Sequence, residues 1–401
     1  MSAELERPCL RPFLAASQDH DPRHVVIWDR LNLCNGPQRL SLLEFSWVQL
    51  FDGKRTLRQI QAEAIKLAKG QPLPLEQFTA LAARLDEALY LDSPRFHEKL
   101  AEPIRAPACI GCYAGDPDEL RQQMRRLFTG PRGSGLPDEK KPDGTLRGAL
   151  VPHIDYARGG TTYTWAFKEV VERSDARLFV IIATSHYSPA RFTLTRKHFL
   201  TPLGVIETDQ GYIDKLVAHF GDGLFEDPLA HLPEHSIELE VVFLQYLYEK
   251  KRDVRIVPLL VGSFHDCVGA GAVVGADIHR MVEALRRVEA ETDEPICYLI
   301  SGDLAHIGPK FGDFKRVGEP ALGESCDQDQ SILQAAAKAD ASAFFQVIAS
   351  EGDRRRICGL PPTWTFLEAC QPGRGQLLAY DQYVHPLGNE SVSFASMAFY
   401  R

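Results

Sequence analysis

The sequence predicts an α/β protein with a mostly parallel sheet flanked by helices, preceded by a small helix-rich domain. Three observations carry that expectation. Past residue 148, apolar runs of five to seven residues (within GALVPH, LFVIIATS, RIVPLLVGS and ICYLISGD) alternate with stretches of helical period. Runs rich in β-branched residues and lacking in/out alternation are the mark of strands buried on both faces. Strand and helix in alternation then imply parallel crossover units. Before residue 100 the pattern is different, with apolar residues at helical spacing in short blocks. Finally, 401 residues exceed the size of one ordinary domain.

The composition excludes several classes of function. Hydrophobic residues make up 44% and charged residues 25%, which are globular values. The net charge of −9 disfavours nucleic acid and anionic membranes, because phosphate binding needs a positive field. No apolar run reaches the roughly 18 residues of a membrane span, and the opening residues MSAELERPCLRPF do not read as a secretory signal. Nine scattered cysteines predict a reduced, cytoplasmic chain with no disulfide scaffold.

Taken in order, residues 1–24 carry Pro8, Pro12 and Pro22 without a steady period, which predicts a flexible arm. Residues 25–100 form the helix-rich domain. Val25–Trp28 and Leu31–Leu33 read as a short hairpin strand region. Leu43, Trp47 and Leu50 mark a first helix, closed by Asp52-Gly53. Thr56 is placed to cap a second helix carrying Ile60, Ala64 and Leu67, with Gly70 as its stop. Phe78, Leu81, Leu85 and Leu89 mark a third. Between Val26 and Lys99 ten basic residues face nine acidic ones, too even a balance for a DNA-recognition stripe. Residues 101–148 read as a bridge with one amphipathic stretch (Leu120, Met124, Leu127) and a Gly/Pro-rich linker over 130–148. Residues 149–401 form the α/β domain, with helices at Ile237–Tyr248 and near 273–289.

Three of the apolar runs end in polar clusters: Pro152-His153-Ile154-Asp155-Tyr156, Ser185-His186-Tyr187, and Ser301-Gly302-Asp303-Leu304-Ala305-His306. Open α/β sheets bind ligands outside the carboxyl ends of their strands, so these clusters are expected to share a cleft. Glu234-His235-Ser236 opens a helix and is a fourth contributor, although capping alone would also account for it. A single histidine is more often an ordinary hydrogen-bonded residue than a ligand; what points to a site is their recurrence after strands. Neutral imidazoles suit Zn, Cu and Fe, and two histidines with one carboxylate suit non-haem Fe(II).

Those same segments carry a resemblance. GCYAGDPDELR, LVPHIDYARGG, IIATSHYSPA, PEHSIELEVVFLQYL, VRIVPLLVG, LISGDLAHIGPKFGD, ICGLPP and SVSFASMAF, in this order from about residue 106, resemble the Memo family. That family is similar in fold to the LigB-like, class III extradiol dioxygenases. The resemblance implies a metal cleft built from His153, His186, His235, Asp303 and His306, holding Fe(II) first, with Zn or Cu as alternatives. It implies oxygenase or redox chemistry; the alternative is a non-catalytic cleft that binds a peptide or other ligand. Animal members place a candidate metal-binding cysteine before the last histidine, where this chain has Ala305. His306 is therefore expected as third ligand, with Asp303 orienting it or replacing it, and His235 as general acid or base. Asp155, Tyr156, Ser185, Tyr187, Glu234 and Cys358 are further cleft candidates, although Asp155 stands where the family often has a small residue. Cys358 matches a cysteine often found in the family, with packing an equal reading. The family further implies partnership with a radical-SAM protein and an AMMECR-type protein.

The segments LSLLEFSWVQLFDGKRTLRQIQ and LEQFTALAARLDEALYL resemble PqqD-like, winged-helix-type peptide-chaperone modules, which implies a peptide or partner docked on residues 25–100. Cys109-x-x-Cys112 has a redox or half-zinc spacing, but without a second such pair packing is the expected role. No Walker loop, G-x-G-x-x-G, H-E-x-x-H or G-x-S-x-G motif is present.

Overall fold

The structure, a computed structural model, describes residues 3–31, 33–138, 143–249, 251–269 and 274–401. The chain divides into two compact units, Met1–Glu102 and Pro103–Arg401.

The first unit is a three-stranded antiparallel sheet followed by four helices. Its strands are Leu14–Gln18, His24–Asp29 and Gln38–Ser41, and its helices Leu42–Val48, Leu57–Leu67, Leu75–Glu87 and Pro94–Ala101. Ser41 with Glu44, and Thr56 with Gln59, form reciprocal capping boxes at the first two helices. Gly70, at φ +85°, closes the second helix through its N–H to the Ile65 carbonyl. Two expectations are corrected here. The region of the supposed arm contains the edge strand Leu14–Gln18, and Cys9 and Leu10 bridge to Asp52 and Leu91. Buried Arg11 pairs with Asp29 at 2.8 Å, which ties its segment to the strand His24–Asp29. The half-exposed pattern of this edge strand left no apolar period to detect. The second correction concerns Leu31 and Leu33, which lie outside any strand: their amides donate to the Asp29 carboxylate. The polar strand Gln38–Ser41, with only Leu40 buried, takes the place expected for them.

The second unit is built on an 11-stranded mixed sheet whose centre is parallel. The strands Leu146–Val151, Ile296–Ser301, Leu178–Thr184 and Arg255–Val261 lie side by side in that order. These are the four predicted runs. Their registers pair Ser301 with Val151 and Ala183, and Val261 with Thr184, so their carboxyl ends finish level. Pro258 sits inside a central strand, which removes one ladder donor. The loss is tolerated because Pro258 falls at a gap on one side, where the ladder passes from Gly204–Thr208, ending at Ile256, to Phe192–Leu194, beginning at Leu259. The antiparallel hairpin Arg374–Val384 and Ser391–Tyr400 extends the other edge.

Helices cover both faces of the sheet, and two apolar cores result. Ile182, Val257, Leu259 and Ile300 point into one; Ile181, Ala183, Ile256 and Leu299 point into the other. This alternation within one run is why the strands read as uninterrupted apolar sequence. The unit begins at Pro103, well before residue 149. The expected bridge carries the helix Pro117–Thr129, capped by Asp116, whose Leu120, Met124 and Phe128 are fully buried in the second core. Within the expected linker, residues 139–142 lie outside the described residues. The helix expected near 273–289 is Ala276–Ala290, and residue 273 likewise lies outside them. Among the described residues no helix is long and apolar enough to cross a membrane.

Candidate metal centre

Four segments meet at the level carboxyl ends of the strands. His153 follows the strand Leu146–Val151, His186 follows Leu178–Thr184, and Asp303 follows Ile296–Ser301. His235 precedes the helix Glu238–Tyr248. Its segment is stitched in by Ser236, whose hydroxyl donates to the Thr184 carbonyl (2.7 Å) and whose carbonyl accepts from the Ser301 hydroxyl (2.6 Å). The rings of His153, His186 and His235 lie 4.9–5.5 Å apart, centroid to centroid. One ligand atom from each falls within 4.8 Å of the other two.

The tautomers follow from their partners. The single hydroxyl proton of Ser301 is used on Ser236, so at 3.3 Å its oxygen accepts from His153 Nδ1–H. The His153 Nε2 lone pair is left facing the cleft. Glu234 does the same for two other rings. Its buried carboxylate accepts from His186 Nδ1 at 2.9 Å, lies 3.3 Å from His235 Nδ1, and takes the backbone N–H groups of His186, His235 and Ser236. A carboxylate behind a histidine fixes ring and tautomer and raises basicity at the free nitrogen. Burial alone would penalise the Glu234 charge, but His186 and His235 hold its carboxyl well below the usual range. On His186, burial opposes the charge and Glu234 outweighs it, so its pKa lies above the ordinary value. On His153, burial, reinforced by His186 and His235, pushes the pKa well down. His153 is thus a neutral nitrogen donor across the ordinary pH range.

A second set of donors shares His153. Cys358 Sγ lies 3.2 Å from His153 Nε2, and Asp303 Oδ2 lies 3.8 Å from the same nitrogen. The three form a second group with ligand atoms mutually within 4.8 Å. Burial raises the Asp303 carboxyl to about 7, against the lowering effect of the His153 backbone N–H. Burial, and then Asp303, push the Cys358 thiol well up. Cys358 reaches this position through a contact between two glycines. A Cβ on Gly302 would stand 2.5 Å from the Gly359 Cα, and one on Gly359 would stand 2.7 Å from the Asp303 carbonyl oxygen. The Thr184 hydroxyl then holds the Cys358 carbonyl at 2.8 Å. The thiol that Ala305 cannot supply comes from another loop.

The remaining candidates separate. His306, expected as third ligand, belongs to neither donor group. Its Nδ1 lies 3.1 Å from the carbonyls of both Leu304 and Arg356, and its ring stands edge-on to Phe311. Burial lowers its pKa to about 4. The strand His306–Ile307, paired with Val392 and Ser391, holds the residue beside the group, where its charge still bears on His153. His235 stands where His306 was expected, as the third imidazole. Asp155 is the N-cap of the helix Tyr156–Arg173 and pairs with Arg158, which is a structural role. Tyr156 is buried among Tyr113, Tyr163 and Phe243, with its hydroxyl on the Leu239 carbonyl. Tyr187 is 38% exposed beside His186 and stands at the rim. The Ser185 hydroxyl is buried without a partner. In the sequence, Glu234 is marked by its place beside His235 and before an acidic helix start, which points to no more than cleft or capping duty.

A mixed α/β sheet with a parallel centre, beside whose strand ends three imidazoles, a thiol and a carboxylate gather, defines a class of proteins with a metal-type donor site. The model of the Memo-like protein family matches residues 105–398, and the chain belongs to that family. It is 28% identical over 377 residues to a MEMO1 family protein of Aquifex aeolicus, covering 91% of each chain. That match is longer than the Pro103–Arg401 unit and extends into the first unit. It is also 28% identical over 306 residues to MEMO1 family protein MK0963 of Methanopyrus kandleri, covering 74% of this chain and 99% of that one. A MEMO1 family protein of Thermococcus onnurineus is 32% identical over 215 residues, covering 52% of this chain and 67% of the relative.

Proposed function

We propose that the cleft binds one divalent metal ion and serves redox or oxygen-dependent chemistry, in a chain that works in the cytoplasm. The observation that carries this reading is the shared position of His153, which belongs to both donor groups. The donor chemistry fits a metal. Three imidazole nitrogens suit Zn, Cu or Fe, and two of them with the Asp303 carboxylate make the usual non-haem Fe(II) set. His153 and His186 would hold the ion, with His235 or Cys358 as third donor. A redox-active ion there would supply Lewis acidity and electron transfer. Around it, Glu234 fixes the direction of His186 and His235, Ser301 that of His153, and Asp303, with its raised pKa, can hold or release a proton at Oδ2 near neutral pH. The exposed edge formed by His186 and Tyr187 is where a substrate would enter.

Anaerobic titration with Co(II) tests the reading and discriminates the third donor. A saturable visible band at one equivalent is expected, and a near-ultraviolet thiolate band lost in Cys358→Ser would assign the sulfur. Absence of any saturable band would overturn it.

A second reading concerns the first unit, as the dock for a peptide or for a radical-SAM or AMMECR-type partner in a protein-modification system. It is favoured by a groove lined by Leu43, Trp47 and Leu81 with Glu44 and Arg84 at its edge, where the Trp47 indole N–H is buried without an acceptor.

A further inference from the structure

The Cys109-x-x-Cys112 pair has no part in the donor groups, and the expectation of simple packing does not describe it. Both residues rest against the edge of the second core, yet their sulfurs are bonded to each other. The seven other cysteines are free. A bond that closes so short a loop removes little chain entropy, so stabilisation is a weak reason for it. In chains that otherwise keep their thiols, disulfides are usually transient and redox-linked. The pair is also reachable. Both cysteines are partly exposed, and between them Ile110 is 53% exposed and Gly111 turns the chain at φ +110°.

Its two ends are tied to the two sides of the cleft. The Cys109 N–H donates to Glu238 Oε1 at 3.0 Å, three residues beyond His235. Glu238 is fully buried and also accepts from the Ala108 N–H, the Tyr113 hydroxyl and the Arg105 guanidinium. Arg105 in turn donates to the Glu234 carbonyl. On the other side, the Cys112 carbonyl accepts from the Tyr156 N–H at 3.0 Å, three residues beyond His153. The loop therefore touches the segments that carry His153, Glu234 and His235 through hydrogen bonds.

We propose that Cys109 and Cys112 are a redox-active pair that exchanges with an external dithiol and transmits its state to the cleft through Glu238 and Tyr156. A thiolate of the external dithiol attacks one sulfur, breaking the Cys109–Cys112 bond and forming a mixed disulfide. Its second thiol then displaces the protein sulfur. Two electrons and two protons pass to the pair, and the reductant leaves as its own disulfide. Reduction frees the turn at residues 109–112 and loosens its hold on Glu238 and Tyr156. The coupling bears on the metal reading above, but the exchange itself does not need it.

The test uses the full metal-free chain, equilibrated in mixtures of reduced and oxidised dithiothreitol, acid-quenched, alkylated and mapped by mass spectrometry. Reversible cycling of two labels on Cys109 and Cys112, in protein that stays folded, is expected. With it, amide exchange over residues 153–158 and 234–240 should quicken several-fold in the reduced form, a readout that requires no metal. Cys112→Ser should show the fast exchange under both conditions; if that variant fails to fold, the wild-type titration decides alone. A pair that opens only on unfolding, or does not re-form, would overturn the exchange. Equal amide exchange in both states would overturn the coupling to the cleft, whether or not Co(II) binds.

Discussion

At the scale of single residues, the Glu234 carboxylate sets the direction of two rings at once, which makes it a more sensitive site than its place outside the donor groups suggests. Glu234→Gln keeps the shape and removes the charge. Metal affinity is expected to fall about 10–100-fold, the usual loss when a partner of a ligating histidine is removed, as read by competition titration. His306→Ala, in contrast, should change affinity by less than about threefold, since His306 belongs to neither donor group. Gly302 gives a third case. A methyl there meets the Gly359 backbone at 2.5 Å, so Gly302→Ala must push the Cys358 loop away from Asp303. A loss of about 1–3 kcal/mol in denaturant titration is expected, as for other overpacked sites, together with loss of any Co(II)–thiolate band.

At the scale of elements, the helix Glu238–Tyr248 turns Glu240 into the core, where Ser301 is the polar side chain that bears on its carboxylate. Burial raises its pKa well above the usual carboxyl range, against the lowering effect of Ser301, and the negative charge of Asp303 adds to the rise. The folded state therefore holds a proton that the unfolded chain releases. Stability from this group is fully present below the unfolded carboxyl pKa and declines as pH rises toward the folded one. Glu240→Gln removes the titration. Its melting temperature should exceed that of the wild type at pH 8, with a smaller gain at pH 5; an equal gain at both would mean that Glu240 does not titrate differently on folding. The elements also differ in how far the sequence announces them. The four central strands are legible because burial on both faces writes an unbroken apolar run. His153, His186 and His235 are legible because they flank those runs or open a helix. Leu14–Gln18 and Gln38–Ser41 are not, since edge strands that bury one or no side chain carry no period. Cys358 as a donor depends on the Gly302–Gly359 approach, a contact between distant segments that no local pattern encodes.

At the scale of the whole molecule, the division after Glu102 makes the first unit a candidate for independent folding. Residues 1–102 are expected to melt cooperatively as an isolated fragment. A fragment starting at residue 25 loses an edge strand and leaves Asp29 buried without Arg11, and breaking such a pair costs about 3–5 kcal/mol. It should be largely unfolded by circular dichroism. The evenness of charge over Val26–Lys99 further predicts no measurable duplex-DNA binding by the longer fragment at physiological salt. The account as a whole rests on His153, the one side chain common to both donor groups. Its most direct test is metal stoichiometry, measured on wild-type protein and on His153→Ala after anaerobic reconstitution with Fe(II), Zn(II) and Cu(II) in turn. One equivalent of at least one metal in the wild type, and none in folded His153→Ala, is the predicted result. Wild-type protein that retains none of the three, or a variant that retains a full equivalent, would contradict it.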